Sequence, residues 1–167
     1  MLLGSQKLSF DQKNRLSLPY TFRRKINEET QGHSLYIVPG RRPRTLAIYP
    51  EKVYEQTLSG EPDDEELSEG TYEYREFQSA HTLLVDPDDQ GRVLVPQWLL
   101  DSADIGKDVT LVGMRNHLVL WRRDEHETFT RQMWQNVGQR RAAAREEMRK
   151  LAGRKAAAED SSEASAG

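Results

Sequence analysis

Cysteine is missing altogether, which excludes disulfides, thiolate metal sites and cysteine nucleophiles. Long apolar runs are missing too. No stretch approaches the ~18 residues that a membrane-spanning helix needs, and Met1-Leu2-Leu3-Gly4-Ser5 is too short for the apolar region of a signal peptide. A soluble, cytoplasmic protein is expected. Histidine is scarce: His33, His81, His117 and His126 are scattered, and no two have metal-ligand spacing. There is no glycine-rich phosphate loop and no Ser/His/Asp set. Asp86-x-Asp88-x-Gln90-Gly91 imitates the opening of a calcium loop, but the twelfth position is Gln97 instead of a bidentate Glu, and strand-like residues follow where a helix is required. These absences argue against an enzyme, and no metal, cofactor or small-molecule substrate is expected.

Charge, by contrast, is abundant at 31%, and the net charge of −3 hides an asymmetry. Residues 1–50 hold nine Lys/Arg against three Asp/Glu, a net of +6, whereas residues 51–91 hold two against thirteen, a net of −11. A basic first third attracts polyanions; an acidic middle on the same face would repel them. With 36% hydrophobic residues in 167, the chain can bury one core with an appendage.

One stretch is written twice. Asp11-Gln12-Lys13-Asn14-Arg15-Leu16-Ser17-Leu18-Pro19 returns 77 positions later as Asp88-Asp89-Gln90-Gly91-Arg92-Val93-Leu94-Val95-Pro96. Both copies read Asp-x-x-x-Arg, apolar-x-apolar, Pro. Two copies at this spacing do not make a solenoid; they indicate a duplicated half-domain closing one core.

Alternation of Leu8 and Phe10, then Leu16 and Leu18, predicts two short strands joined by the Asp11–Arg15 loop. Pro19 suits the first turn of a helix that ends at Gln31-Gly32, with Phe22 and Ile26 on one face. A hairpin follows over Leu35–Val38 and Thr45–Tyr49, around a basic turn from Pro39 to Arg44. A short helix opens at Pro50-Glu51. Gly60–Glu66 reads as an acidic, solvated linker, and Tyr72–Phe77 as a helix. The second half retraces the path: strand Leu83–Val85, loop Asp88–Arg92, strand Val93–Val95, helix from Pro96 with Gly106 at its end, and hairpin Val109–Val112 with Leu118–Trp121. Asp124 fits the N-cap of a long helix towards Leu151. Trp98, Trp121 and Trp134 lie on apolar periodic faces and are expected in the core. From Ala156 onward the Ala/Ser/Glu composition predicts disorder.

In Asp-x-x-x-Arg, the residue before Arg requires φ > 0, which Gly91 meets and Asn14 tolerates. The Asp accepts backbone N–H bonds and stiffens the turn; it can also orient the Arg for bidentate contact with phosphate, carboxylate or a guanine edge. The plainer reading is an ion pair that merely holds the loop closed, worth about 0–1 kcal/mol. Two copies, with Lys13, Arg23, Arg24 and Lys25 gathered near the first, favour a ligand that itself repeats, and DNA repeats.

These residues resemble the MraZ family of bacterial transcriptional regulators, associated with the division and cell-wall gene cluster, within the AbrB-like swapped-hairpin superfamily. The resemblance spans roughly residues 1–137 and rests on Met1-Leu2-Leu3-Gly4, Asp11-x-Lys13-x-Arg15-x-x-x-Pro19, Phe77-x-Ser79-Ala80, Asp88-x-Gln90-Gly91-Arg92-x-x-x-Pro96 and Val112-Gly113. It implies an α+β chain of two tandem AbrB-like βαββα half-domains forming one pseudo-twofold β-barrel unit, plus a C-terminal helix. The ranges would be 1–59 and 80–123 for the halves, 60–79 for the acidic linker and connecting helix, 124–152 for the C-terminal helix and 153–167 for a disordered tail. It further implies a homo-oligomeric ring on the nucleoid that represses transcription by meeting tandem short promoter repeats. Carried over by position, Arg15 and Arg92 face DNA, Asp11 and Asp88 are their loop partners, and Lys13 touches phosphate. Asn14, Gln90, Arg23 and Arg24 complete the expected interface. The chain departs from the family pattern at Asn14 (usually Gly), Leu8 (commonly His) and Gln90 (Lys13 in the first copy). The rival expectation is an oligomeric protein-binding scaffold, or an antitoxin-like module, whose Arg loops serve subunit contacts.

Overall fold

A computed structural model describes residues 1–165, with side chains as far as residue 158. Contacts divide the chain into two compact units, Met1–His126 and residues 127–167. In the first unit, β1 (Leu2–Ser9) and β2 (Arg15–Ser17) lead to α1 (Tyr20–Arg23) and α2 (Glu28–Gln31), then to the hairpin β3 (Leu35–Pro39) and β4 (Thr45–Pro50), and to α3 (Glu51–Leu58). A 3-10 turn at Asp64–Glu66 precedes α4 (Glu69–Ala80). The second half supplies β5 (Leu83–Val85), β6 (Arg92–Leu94), α5 (Gln97–Ser102), and the hairpin β7 (Asp108–Arg115) and β8 (Leu118–Arg122). The architecture is mixed α+β, with antiparallel pairing throughout the described sheets.

Six strands form one sheet in the order β1-β7-β8-β4-β3-β5, while β2 and β6 pair as a separate ribbon. The first strand of each half therefore binds the hairpin of the other half: β1 lies on β7, and β5 on β3. Exchanging the halves leaves the strand order unchanged. At the middle of the ribbon Leu16 faces Val93, its own counterpart 77 positions on. The flanking bonds, Leu18 N–H to Gly91 O (2.9 Å) and Val95 N–H to Asn14 O (3.0 Å), are counterparts as well. A local twofold thus passes through the Leu16–Val93 pair. The same tie closes both outer seams with its partners exchanged: the Ser9 hydroxyl donates to Asp108 and the Ser34 hydroxyl to Asp86, each at 2.6 Å.

Alternation sends Leu16 and Leu18, Val93 and Val95 inward from the ribbon, where they meet Ile37, Ile48, Leu111 and Leu120 of the large sheet. Phe22 of α1 and Leu99 of α5 close the same cluster. Each such side chain contributes about 1.5–3 kcal/mol of burial, and because both halves supply it, neither has a core alone. A smaller cluster of Val38, Ala47 and Tyr54, flanked by Tyr36 and Tyr49, lies on the other side of the first hairpin.

The expected single helix from Pro19 to Gln31 is two helical turns. Asn27 interrupts it by accepting N–H bonds from Glu29 (3.0 Å) and Thr30 (3.4 Å) on its side chain, and so starts α2 afresh. Pro19 sits just outside α1 in extended conformation. Gly106 does not terminate α5: Asp104 takes the left-handed conformation there (φ 50°), and the Ile105 N–H returns to Leu100 O at 2.8 Å. The acidic linker is tied down, since Arg75 of α4 bonds Asp64 (2.7 Å), Glu61 (3.0 Å) and the Pro62 carbonyl (3.0 Å).

The tryptophan expectation fails at two positions. Trp98 is 45% exposed and Trp134 is 73% exposed; helical spacing marks a face, but burial also requires a partner lying over it. Trp121 is half-buried. The C-terminal helix starts at Arg123, one residue before the expected N-cap Asp124, and comprises α6 (Arg123–Gln135) and α7 (Val137–Ser165), separated at Asn136. Residues 153–165, expected to be disordered, continue α7, a stretch whose Ala, Arg, Lys and Glu favour helix. Residues 166 and 167 of that tail lie outside the described residues.

Candidate nucleic-acid interface

The two Asp-x-x-x-Arg loops are built alike, bond for bond. In the first, Asp11 accepts the N–H groups of Lys13 (2.8 Å) and Arg15 (2.9 Å) on one carboxylate oxygen and Arg15 Nε (2.7 Å) on the other. In the second, Asp88 accepts the N–H groups of Gln90 (3.0 Å) and Arg92 (2.9 Å) and then Arg92 Nε (2.7 Å). The backbone closes both turns. Asn14 N–H reaches Asp11 O (3.1 Å) and Asp11 N–H reaches Arg15 O (3.0 Å); the equivalent bonds at Gly91 and Asp88 are 2.7 and 2.9 Å. The chain can turn this tightly because the residue before each Arg is left-handed, with φ 56° at Asn14 and 72° at Gly91. The backbone N–H of Arg15 is the main cause holding the Asp11 carboxyl below the usual carboxylate range, and that of Arg92 does the same for Asp88. Both carboxylates are therefore charged at neutral pH.

Each carboxylate engages only the Nε edge of its arginine. Among the described residues the Nη groups of Arg15 and Arg92 have no hydrogen-bond partner, and their side chains remain 30% and 25% exposed. Neither is locked beneath its neighbours. Residues directly opposite on paired strands share a face. Arg15 is opposite Leu94, and Ser17 is opposite Arg92, so these four form the outer surface of the ribbon whose inner surface is Leu16 and Val93. The two arginines are diagonal neighbours, roughly 7–8 Å apart at the backbone.

Of the other expected site residues, Lys13, Arg24 and Gln90 are exposed. Arg23 is held in place: its Nε donates to Leu18 O at 3.0 Å, its guanidinium lies 6.0 Å from the Tyr20 ring centre, and its side chain presses on Gly91 of the second loop. The Asn14 side chain donates to Gln97 of α5 at 2.9 Å. Each loop is thus braced by the helix of the other half. The first loop carries Lys13 where the second carries Gln90 beside Asp89, so the first is the more attractive to an anion. Ser17, Leu94 and Gln97 were missed as members of this surface. Counting in twos from each arginine would have found Ser17 and Leu94, the latter 52% exposed; nothing in the sequence marks Gln97.

Three of the four histidines pack against aromatic rings, while His33 lies exposed beside Glu28 (3.4 Å). His81 lies against Phe77 (ring centres 4.4 Å) and Trp98 (5.9 Å), His117 stacks on Tyr49 (4.3 Å), and His126 meets Trp121 (5.5 Å). Among the described residues no group of His, Cys, Asp and Glu could hold a metal ion, and no helix is long and apolar enough to cross a membrane.

The sequence has counterparts among known proteins. The family model described as an antitoxin-like MraZ protein matches residues 1–73 and 79–150, one stretch for each copy of the loop. A protein named transcriptional regulator MraZ from Acidobacterium capsulatum is 33% identical over 137 residues, covering 80% of this chain and 88% of that one. Its namesakes from Bifidobacterium longum and Mycoplasma mobile are each 30% identical over 129 residues, covering 77% of this chain and 82% and 84% of theirs. With both repeats matched and most of its length shared with such relatives, the chain belongs to the MraZ family.

Proposed function

We propose that the protein is a DNA-binding transcriptional regulator, a repressor of genes in the division and cell-wall cluster, acting on the nucleoid. Its half-domains, residues 1–59 and 80–123, belong on this reading to the AbrB-like swapped-hairpin class, closing one barrel-like unit. The exchange of first strands between halves supports that assignment. Arg15 and Arg92 reach base edges or phosphates with their Nη groups, Asp11 and Asp88 hold them, and Lys13, Asn14, Gln90, Arg23 and Arg24 flank them. The observation that carries the reading is the pair of like-built loops on one outer surface, each with both guanidinium Nη groups unengaged among the described residues.

An arginine fixed by a carboxylate at Nε loses little conformational freedom when its remaining donors engage a ligand. Good bidentate contact with guanine discriminates against a wrong base by about 1–3 kcal/mol. Two such contacts per chain are few, so useful affinity requires several chains linked in a ring, each engaging one of several tandem short promoter repeats.

A mobility-shift series on duplexes bearing one to four spaced short repeats tests this. Affinity should rise steeply with repeat number, and Arg15→Ala should reduce it at least tenfold with unchanged circular dichroism; Arg92→Ala should have the smaller effect. Binding that survives both substitutions together would instead favour the protein-binding scaffold.

A further inference from the structure

We propose that α7 is a basic arm that binds the phosphate backbone of duplex DNA without reading its sequence. The choice of duplex DNA rests on the reading of the protein as a DNA-binding regulator; the cationic character of the arm does not. The family match ends at residue 150, and the relatives above cover about four-fifths of the chain, so the far end of α7 lies beyond what they share.

From residue 137 to residue 158 every side chain of α7 is exposed. This stretch carries seven Lys/Arg against Glu146 and Glu147; acidic residues return only at Glu159, Asp160 and Glu163. Lys150 is paired with Glu146 at 2.8 Å. The side chains of Arg140, Arg141, Arg145, Arg149, Arg154 and Lys155 have no ion-pair or hydrogen-bond partner among the described residues. Arg141, Arg145 and Arg149 succeed one another at four-residue spacing, where like charges repel along the helix. A polyanion relieves that repulsion. At 1.5 Å per residue the stretch is roughly 33 Å long, comparable to about ten base pairs at 3.4 Å each.

The distribution of charge decides among polyanions. At 100° per residue the cations fall on all sides of the helix. Val137, Met148 and Leu151 make too thin a stripe for a helix lying in a membrane surface, which needs one wide apolar face opposite its charges. The groove and backbone of a duplex accept a rod that is basic all round. About half of these six cations, roughly three, can face phosphates at once.

The test uses the full chain with Arg140, Arg141, Arg145, Arg149, Arg154 and Lys155 all changed to Gln, which keeps helix propensity; circular dichroism verifies the helix. Fluorescence anisotropy follows binding to a labelled, scrambled duplex without repeats as salt rises from about 50 to about 200 mM. With roughly three phosphate contacts per chain, the log–log salt slope of the variant should be shallower by about 2.7, so that it loses roughly 40-fold less affinity over that range. An unchanged slope, or no binding of the scrambled duplex by the unsubstituted protein, overturns the proposal. So does tighter binding to duplex RNA or to phosphatidylserine vesicles than to DNA. Preference for repeats over scrambled duplex reports on the loops instead: its loss in Arg15→Ala, with the salt slope kept, separates the two sites. Its absence from the unsubstituted protein would sink the loop reading while leaving the slope comparison decisive for the arm.

Discussion

Replacing Gly91 with alanine probes the loop where backbone and packing constraints coincide. Gly91 has φ 72°, and a Cβ there would stand 2.5 Å from Arg23 Cδ, 2.6 Å from its Nη1 and 2.7 Å from its Cζ. The left-handed conformation alone costs an alanine about 1–2 kcal/mol. Arg23 must also swing away and give up its bond to Leu18 O (3.0 Å), a further loss of about 0.5–1.5 kcal/mol. The expected destabilisation is therefore about 2–3 kcal/mol, or roughly 5–10 °C in Tm for a chain of this size. Urea titration measures it directly, as a lower midpoint with unchanged slope. In an Arg23→Ala background only the backbone part remains, so Gly91→Ala should there cost about 1 kcal/mol less. Asn14, already left-handed at φ 56°, provides the control: Asn14→Gly relieves that conformation but removes the bond to Gln97 (2.9 Å), and the two should offset to within about 0.5 kcal/mol. A Gly91→Ala protein as stable as the original would refute the left-handed turn. An equal cost in both backgrounds would refute the bracing by Arg23.

Leu16 is fully buried on the local twofold, and Leu16→Ala should destabilise by about 2–5 kcal/mol in calorimetry; a loss below about 1 kcal/mol would mean that the ribbon is not the floor of the core. Asp11 and Asp88 have folded-state pKa values depressed below the ordinary 3.8, so their stabilisation is complete above that value and is lost as pH falls through the depressed ones. Urea midpoints from about pH 6 down to about pH 2.5 should fall less steeply in Asp11→Asn/Asp88→Asn than in the original chain, and equal acid limbs would contradict the hydrogen-bonded loops. Trp134 is 73% exposed, so Trp134→Ala should alter stability by no more than about 0.5 kcal/mol, whereas a core tryptophan would cost about 3–5 kcal/mol.

The loops were legible because a tight turn leaves its chemistry in consecutive letters. Asp, a residue that tolerates φ > 0 and then Arg nearly specify the hydrogen bonds seen at Asp11 and Asp88. Both hairpins and α3 were legible from alternation and from proline. The exchange of β1 and β5 between halves was not readable from strand patterns, since a strand of period two carries no address for its partner. The break at Asn27 leaves no mark in the helical pattern, because its capping role depends on a local competition between side chain and backbone. The exposure of Trp98 and Trp134 marks the same limit from the other direction: a helical repeat identifies a stripe, and only the tertiary arrangement decides what covers it.

The pairing of Ser9 with Asp108 has a consequence for biosynthesis. On the ribosome, β1 emerges 99 residues before its mate, and at about 5–20 residues per second it waits roughly 5–20 s for a place to dock. During that interval its backbone donors and acceptors are open to any complementary edge, including β7 of a neighbouring nascent chain. Polysomes translating this message therefore hold, side by side, chains each able to complete another, and the local concentration of mates in cis must outcompete them.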